Sequence, residues 1–384
     1  MQKLNIAILS YRSAKFGGGQ GVYVKDISLA LTLIGHNVDV ISGPPYPDLH
    51  KGINLIKLPG LNLFETFSFK DRIKKLFNKK QKNINDYYEF FSVLFGGFPE
   101  MKTFGDRAND FLKNNNDYDL VIDNQSLSYG MLEIQNRFPF IEIIHHPITF
   151  DYKYELASSK KIKYKVSRYR WYSFLKMQKR VAPKINRIIS PSQSSKDGII
   201  KEFQCNKKNI TVINNGLDTD EFRPILKSTR NPYRLITTAS ADVPLKGLDY
   251  SLKALKDLKS DFPMIHLIVI GSIKENGHTE RLINKLDIKD SVFFKSNITK
   301  AQITELYSTS SIAIVSSLYE GFGYPVIEAM SCEVPLIATN VSSIPELING
   351  YATLVNPKNH KMISDSVKEI IMDYRKYKEI AING

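Results

Sequence analysis

At 384 residues the chain exceeds what one hydrophobic core usually serves, so two domains with a cleft between them are expected. Hydrophobic residues at 42% and charged residues at 24% exclude a disordered or fibrous chain, and two cysteines without metal-ligand spacing, Cys205 and Cys332, exclude a disulfide framework and fit a reducing compartment. The net charge, 53 − 39 = +14, is concentrated in the first half, with seven basic residues against one Asp from Lys70 to Lys82 and twelve against one Glu from Lys153 to Arg187.

The opening apolar run, Leu4 to Leu9, is too short for a signal segment and leads into a glycine loop as a buried strand would. No other stretch approaches the roughly 20 apolar residues of a membrane span, so a cytoplasmic location is expected. Leu4 to Ser10 predicts a strand, Val22 to Ile34 an amphipathic helix stopped by Gly35, and Val38 to Ser42 a second strand. Further strands are predicted at Leu120 to Ile122, Ile141 to Ile144, Ile188 to Ser190 and Ile210 to Ile213. A turn-rich segment through Asn214-Asn215-Gly216-Leu217-Asp218, Phe222-Arg223-Pro224 and Asn231-Pro232 reads as a hinge. Strands resume at Arg234 to Thr238, Ile265 to Ile270, Val292 to Phe294, Ile312 to Ser316 and Leu336 to Thr339. Strands alternating with helices argue for α/β architecture, two Rossmann-like doubly wound domains. The expected division is 1–218 and 219–384.

In open α/β sheets, ligands bind beyond the carboxyl ends of the strands, so the loops there carry the functional expectations. Gly17-Gly18-Gly19-Gln20-Gly21, between the first strand and helix, lets backbone amides approach an anion at a helix N-terminus. Hydride chemistry is disfavoured, because a dinucleotide fold prefers an acidic residue at the end of the second strand, where this chain has Ser42-Gly43-Pro44.

A second loop, Glu320-Gly321-Phe322-Gly323, precedes a helix with Pro325 as its expected first residue. That volume suits a diphosphate. Glu320 is placed to accept hydrogen bonds from sugar hydroxyls, and Glu328, expected in the first helical turn, from a ribose diol. The bland alternative is that both acids complement the helix dipole. Lys246-Gly247, at a strand-to-helix junction, is expected to neutralise a departing diphosphate; a solvated lysine at a helix start is the alternative.

His145-His146-Pro147 follows a strand, but no third ligand with zinc spacing accompanies the pair, so no metal is expected. One histidine is expected to hydrogen-bond the transferred sugar and the other to pack or cap, with Asp151 as a polar partner. The basic segment from Lys153 to Arg187 carries Tyr164, Tyr169, Trp171, Tyr172 and Phe174, which suits a helix lying beside anionic lipid headgroups. A solvated basic face over an aromatic core side is the alternative. No nucleic-acid motif accompanies either basic run, so a nucleic-acid partner is not expected.

These residues resemble the retaining glycosyltransferase family 4 of GT-B architecture along nearly the whole chain. Its mark is two glutamates separated by seven residues, matched by Glu320 and Glu328. Supporting matches are the glycine loop, Pro191-Ser192 with Ser195, Asn215 to Asp218 with Phe222 and Pro224, Lys246-Gly247, and Ile344-Pro345-Glu346.

The resemblance implies a first domain that binds the acceptor and a second that binds the nucleotide-sugar donor, the two facing each other across the cleft. It also implies transfer from a nucleotide diphosphate sugar, with UDP- or GDP-sugars foremost, to a glycan, glycolipid or other lipid-linked cell-envelope acceptor, without metal or other cofactor. By resemblance His145, Glu320 and Lys246 are catalytic, with His146 as fallback. Gly18, Gly19, Lys246, Glu320, Gly321, Phe322, Gly323 and Glu328 would bind the donor.

Three departures stand out. Ala241 occupies the position of the family's usual arginine, for which Arg12 is the expected substitute; Glu333 stands where glycine is common; and the chain stops at Gly384, where a closing helix is expected to be missing. A non-catalytic sugar-nucleotide-binding protein and a GT-B sugar-phosphate synthase are the alternatives.

Overall fold

In the computed structural model, which describes residues 2–13, 19–64, 66, 68–226 and 228–384, the chain forms two compact units. The first comprises Met1–Pro191 and Ser195–Ile213, the second Ser192–Ser194 and Asn214–Gly384. The division therefore falls before the expected 218/219 boundary, and three residues near the end of the first half segregate with the second unit. Hydrogen bonds explain that exchange. Glu346 accepts from the backbone N–H of Gln193 (2.9 Å) and Ser194 (2.7 Å), and Ser192 Oγ donates to the carbonyl of Gly321 at 2.6 Å.

Among the described residues the first unit holds a seven-stranded sheet. Its strands are β1 (Asn5–Ser10), β2 (Asn37–Ser42), β3 (Asn54–Lys57), β4 (Leu120–Asn124), β5 (Phe140–Ile143), β6 (Ile188–Ser190) and β7 (Ile210–Val212), ordered β3-β2-β1-β4-β5-β6-β7. The second unit holds a six-stranded sheet of β8 (Asn231–Thr238), β9 (His266–Ile270), β10 (Val292–Lys295), β11 (Ser310–Val315), β12 (Leu336–Thr339) and β13 (Thr353–Val355), ordered β10-β9-β8-β11-β12-β13. Every pairing in both sheets is parallel.

Parallel strands covered by helices on both faces are apolar throughout rather than alternating. Residues Ile6 to Leu9 of β1 and Ser310 to Val315 of β11 are accordingly all buried. In each unit the reversal of strand order, at β1/β4 and at β8/β11, opens a crevice at the carboxyl end of the sheet.

The last helix, Tyr374–Asn383, packs on the second unit through Tyr374 and Tyr377. Its Lys378 Nζ reaches both the carbonyl and the carboxylate of Glu333 at 3.0 Å. Glu333 has φ 52°, the left-handed conformation that glycine adopts most readily. The lysine contacts help to hold it there.

Candidate active site

In the second unit the site is assembled where β8 and β11 end. After β8 a short turn, Pro244–Lys246, presents Lys246; after β11, residues Ser316 to Gly323 lead into the helix Tyr324–Ser331. The two loops are tied by Leu318 N–H donating to the Leu245 carbonyl at 2.7 Å and by Ser316 Oγ donating to the Gly247 carbonyl at 3.0 Å. Lys246 Nζ is thereby held 2.8 Å from Glu320 Oε1.

Glu320 is buried, at 8% exposure, and is surrounded by serines. Ser317 Oγ donates to its carboxylate at 2.6 Å, its backbone N–H donates to Ser342 Oγ at 2.8 Å, and Ser343 Oγ lies 2.9 Å from its carbonyl. The Lys246 side chain keeps 30% exposure, so this ion pair is partly screened and contributes no more than about 1 kcal/mol. An incoming dianion can draw the lysine away from it at small cost.

Gly323 has φ 114°, which starts the helix from the left-handed region. Pro325 is the second helical residue, not the first, and Glu328 lies beyond the first turn. Glu328 is therefore positioned less by the helix dipole than by side chains. Tyr307 Oη, on the helix Lys300–Thr309, donates to Glu328 Oε2 at 3.3 Å, and Tyr307 itself is 1% exposed and 3.1 Å from Thr238 Oγ1. Burial raises the Glu328 carboxyl to about 7, against the Tyr307 hydrogen bond and the positive charges of Lys300 and Lys246. Tyr307 and Lys300 escaped the sequence reading, because they come from a separate helix and reach Glu328 only through the fold. Phe322 is buried with its ring edge-on to Tyr324, so it serves the loop by packing.

In the first unit Gly19 begins the helix Gly19–Leu33, while Gly17 and Gly18 lie outside the described residues. His145, one residue past Ile144, sits against this helix: Tyr23 meets its ring edge-on at 4.7 Å. Its Nε2 is 2.7 Å from Asn124 Oδ1, its backbone N–H donates to Gln125 Oε1 at 2.7 Å, and Ser195 Oγ donates to its carbonyl at 2.9 Å. Burial and then the neighbouring His146 push His145 down to about 3, so the ring is neutral. His146 instead meets Asp151, Nε2 to Oδ2 at 2.8 Å, the polar pairing expected for one of the two histidines. Among the described residues no three His, Cys, Asp or Glu side chains converge on a metal-sized site.

The loop after β4 that holds His145 is itself strained, with Gln125 at φ 59° and Leu127 at φ 48°. Asp123 Oδ2 restrains it by accepting from Ser126 N–H and Oγ and from Leu127 N–H. Asp123 and Glu142 are register partners on β4 and β5, and both are fully buried. Burial and then the Asp123 charge push the Glu142 carboxyl well above the usual range.

Arg12 is engaged within the first unit. Its guanidinium is 3.3 Å from Glu100 Oε2 and 3.7 Å over the Phe64 ring. Burial raises Glu100 to about 7, against the lowering effect of Arg12. Ala241, where the family's usual arginine is absent, is buried.

The family description Glycosyltransferase Family 4 matches residues 17–221, and Glycosyl transferases group 1 matches residues 218–384. An MMP alpha-(1->4)-mannosyltransferase from Mycolicibacterium hassiacum is 36% identical over 387 residues, covering 99% of this chain and 92% of that protein. Among solved structures, sucrose-phosphate synthase from Thermosynechococcus elongatus superposes with a TM-score of 0.74 at 18% identity, covering 99% of this chain and 93% of that one. HepE from Anabaena, in complex with UDP-glucose, superposes with a TM-score of 0.69 at 16% identity, covering 98% and 92%. These two share the fold, two parallel-sheet Rossmann-like units of GT-B type. Matched by family descriptions along both halves and by a mannosyltransferase over nearly its full length, the chain is a glycosyltransferase and belongs to glycosyltransferase family 4.

Proposed function

We propose that the chain transfers a hexosyl group, mannosyl foremost, from a UDP- or GDP-sugar to a hydroxyl of a glycan or lipid-linked acceptor, with retention of anomeric configuration. The observation that carries this reading is the Lys246–Glu320 pair at the mouth of the helix bearing Glu328. When a donor binds, Lys246 leaves Glu320 for the diphosphate, and Glu320 turns to the sugar hydroxyls. Glu328 takes the ribose. As the bond from the anomeric carbon to the phosphate oxygen breaks, Lys246 meets the growing charge.

His145 holds the sugar near the reacting carbon, and the acceptor oxygen bonds to that carbon as its proton passes to the departing phosphate. A lysine and a helix N-terminus already supply positive potential, so the transfer proceeds without a metal. A panel of UDP-, GDP-, ADP- and TDP-sugars, assayed for nucleotide release with and without cell-envelope extract and with and without chelator, tests this. Release from GDP-mannose or a UDP-hexose, stimulated by extract and indifferent to chelator, is expected. Release from no donor sinks the reading, and loss with chelator sinks the metal-free mechanism.

Among the described residues no helix is long and apolar enough to cross a membrane. The acceptor reading extends to a membrane surface through the helix Ile162–Trp171, none of whose residues is buried. Ile162, Val166 and Tyr169 occupy one face at spacings of four and three, with exposures of 78%, 45% and 55%, and Lys163, Lys165 and Arg170 beside them are exposed. An apolar stripe among cations suits anionic headgroups, each cation contributing about 1 kcal/mol near the surface. Flotation should recover at least about 10-fold more protein on anionic than on neutral vesicles, and Ile162→Ser/Val166→Ser/Tyr169→Ser should abolish the difference. Equal recovery on both vesicle types refutes the contact.

A further inference from the structure

The histidine beyond β5 is held in a way that fixes which of its nitrogens carries the proton. Asn124, fully buried at the end of β4, donates from Nδ2 to the Gln20 carbonyl at 3.4 Å. That contact orients the amide so that Oδ1 faces His145 Nε2, at 2.7 Å. An amide oxygen only accepts, so Nε2 must be the protonated nitrogen of a neutral ring.

The surroundings leave the ring little choice of pose. Gln125 accepts from the His145 N–H and donates to the His146 carbonyl, both at 2.7 Å, Ser195 Oγ holds the His145 carbonyl, and Tyr23 lies edge-on against the imidazole. Among the described residues nothing hydrogen-bonds Nδ1. Its lone pair is the one polar feature of the ring left for a ligand.

We propose that Asn124 is a positioning residue that locks His145 in the Nε2–H tautomer, so that Nδ1 accepts a hydrogen bond from one hydroxyl of the transferred sugar and makes that hydroxyl a requirement for turnover. This rests on the reading that His145 meets the donor sugar. Only a group with a hydrogen to donate satisfies Nδ1. A deoxy sugar leaves it unpaired, a fluoro sugar sets two acceptors against each other, and a carboxylate at that position is repelled.

The test has a spectroscopic and a kinetic arm. In the free protein, labelled with 15N-histidine near neutral pH, the His145 ring, assigned by its loss in His145→Gln, should show the neutral Nε2–H pattern. Asn124→Leu should convert it to a mixture of tautomers, and Asn124→Asp, which keeps an acceptor but adds charge, should shift it toward the doubly protonated ring. A neutral Nδ1–H pattern or an imidazolium in the unmodified protein overturns the proposal without any assay of activity.

In the kinetic arm the donor, whichever of UDP-glucose and GDP-mannose is turned over, is compared with its deoxy and fluoro analogues at each hydroxyl. At one position both should lower kcat/KM by about 10- to 100-fold, and Asn124→Leu or Asn124→Asp should shrink that loss to about 3-fold. A fluoro analogue that matches the parent while the deoxy analogue fails means the ring donates, against the proposal. An Nε2–H ring with no hydroxyl position showing the loss refutes the sugar contact alone. Turnover of neither donor, by contrast, counts against the transferase reading and removes the sugar contact with it, while the tautomer is still decided by the spectra.

Discussion

Glu320→Ala should lower kcat/KM by about 100- to 1,000-fold while leaving thermal unfolding within about 1 kcal/mol of the unmodified protein. The asymmetry follows from where the side chain sits. Its pairing with Lys246 is partly solvated, so truncation costs little in folding: the lysine turns to water, and Ser317 loses one acceptor. On the proposed reading the same carboxylate accepts from hydroxyls of the donor sugar, and its loss leaves those hydroxyls unpaired in a desolvated site.

Glu320→Gln should fall between the two proteins, since an amide accepts from a hydroxyl but does not counterbalance Lys246. Lys246→Ala should depress kcat more than KM, because its charge is needed most as the diphosphate departs. Double replacement should cost less than the sum of the single losses, the two side chains sharing one site at 2.8 Å. Steady-state kinetics on the four variants, with thermal melts, decide the matter. Unmodified kcat/KM in a folded Glu320→Ala protein excludes the site.

The strands that build both crevices are legible in sequence because a strand buried on both faces is a short apolar run, as in Ile6 to Leu9 and Ile312 to Val315. Two strands are not. β3 and β13 are short edge strands of Asn54–Lys57 and Thr353–Val355 with mixed burial, and their sequences carry no unbroken apolar signal. The glutamates and Lys246 are each legible by their loop context, but the pairing between Lys246 and Glu320 is not: they are 74 positions apart, and the tie between their loops brings them together.

Tyr307 is equally remote, reaching Glu328 across 21 positions from a neighbouring helix. The histidine was legible as a residue after a strand, whereas its fixed tautomer depends on the orientation of an amide 21 positions away. Local patterns thus point to the loops, and tertiary hydrogen bonds give each side chain its partner. Arg12 is legible as a cation near the glycine loop, whereas its pairing with Glu100, 88 positions away, is not.

Gly247→Ala should destabilise the second unit by about 3 kcal/mol or more and reduce transfer in whatever protein remains folded. Two constraints meet at this residue. Its φ of 62° lies in the left-handed region, where a side chain alone costs roughly 1–2 kcal/mol. A Cβ there would also stand 2.0 Å from the Ser316 carbonyl oxygen, which is backbone and cannot swing aside.

Relief requires the loop after β8 to move away from the loop after β11, and with it Lys246 away from Glu320. The Leu245–Leu318 and Ser316–Gly247 hydrogen bonds oppose that movement, so part of the cost falls on stability and part on the geometry of the ion pair. Loss of about 3 kcal/mol should lower the unfolding midpoint by about 6–12 °C. The control is Gly350→Ala: φ is 89°, and a Cβ meets nothing within 4 Å, so only the conformational cost applies. A melt of Gly247→Ala no lower than that of Gly350→Ala shows that the close approach of the two loops does not constrain this glycine, and that Lys246 is set by some other contact.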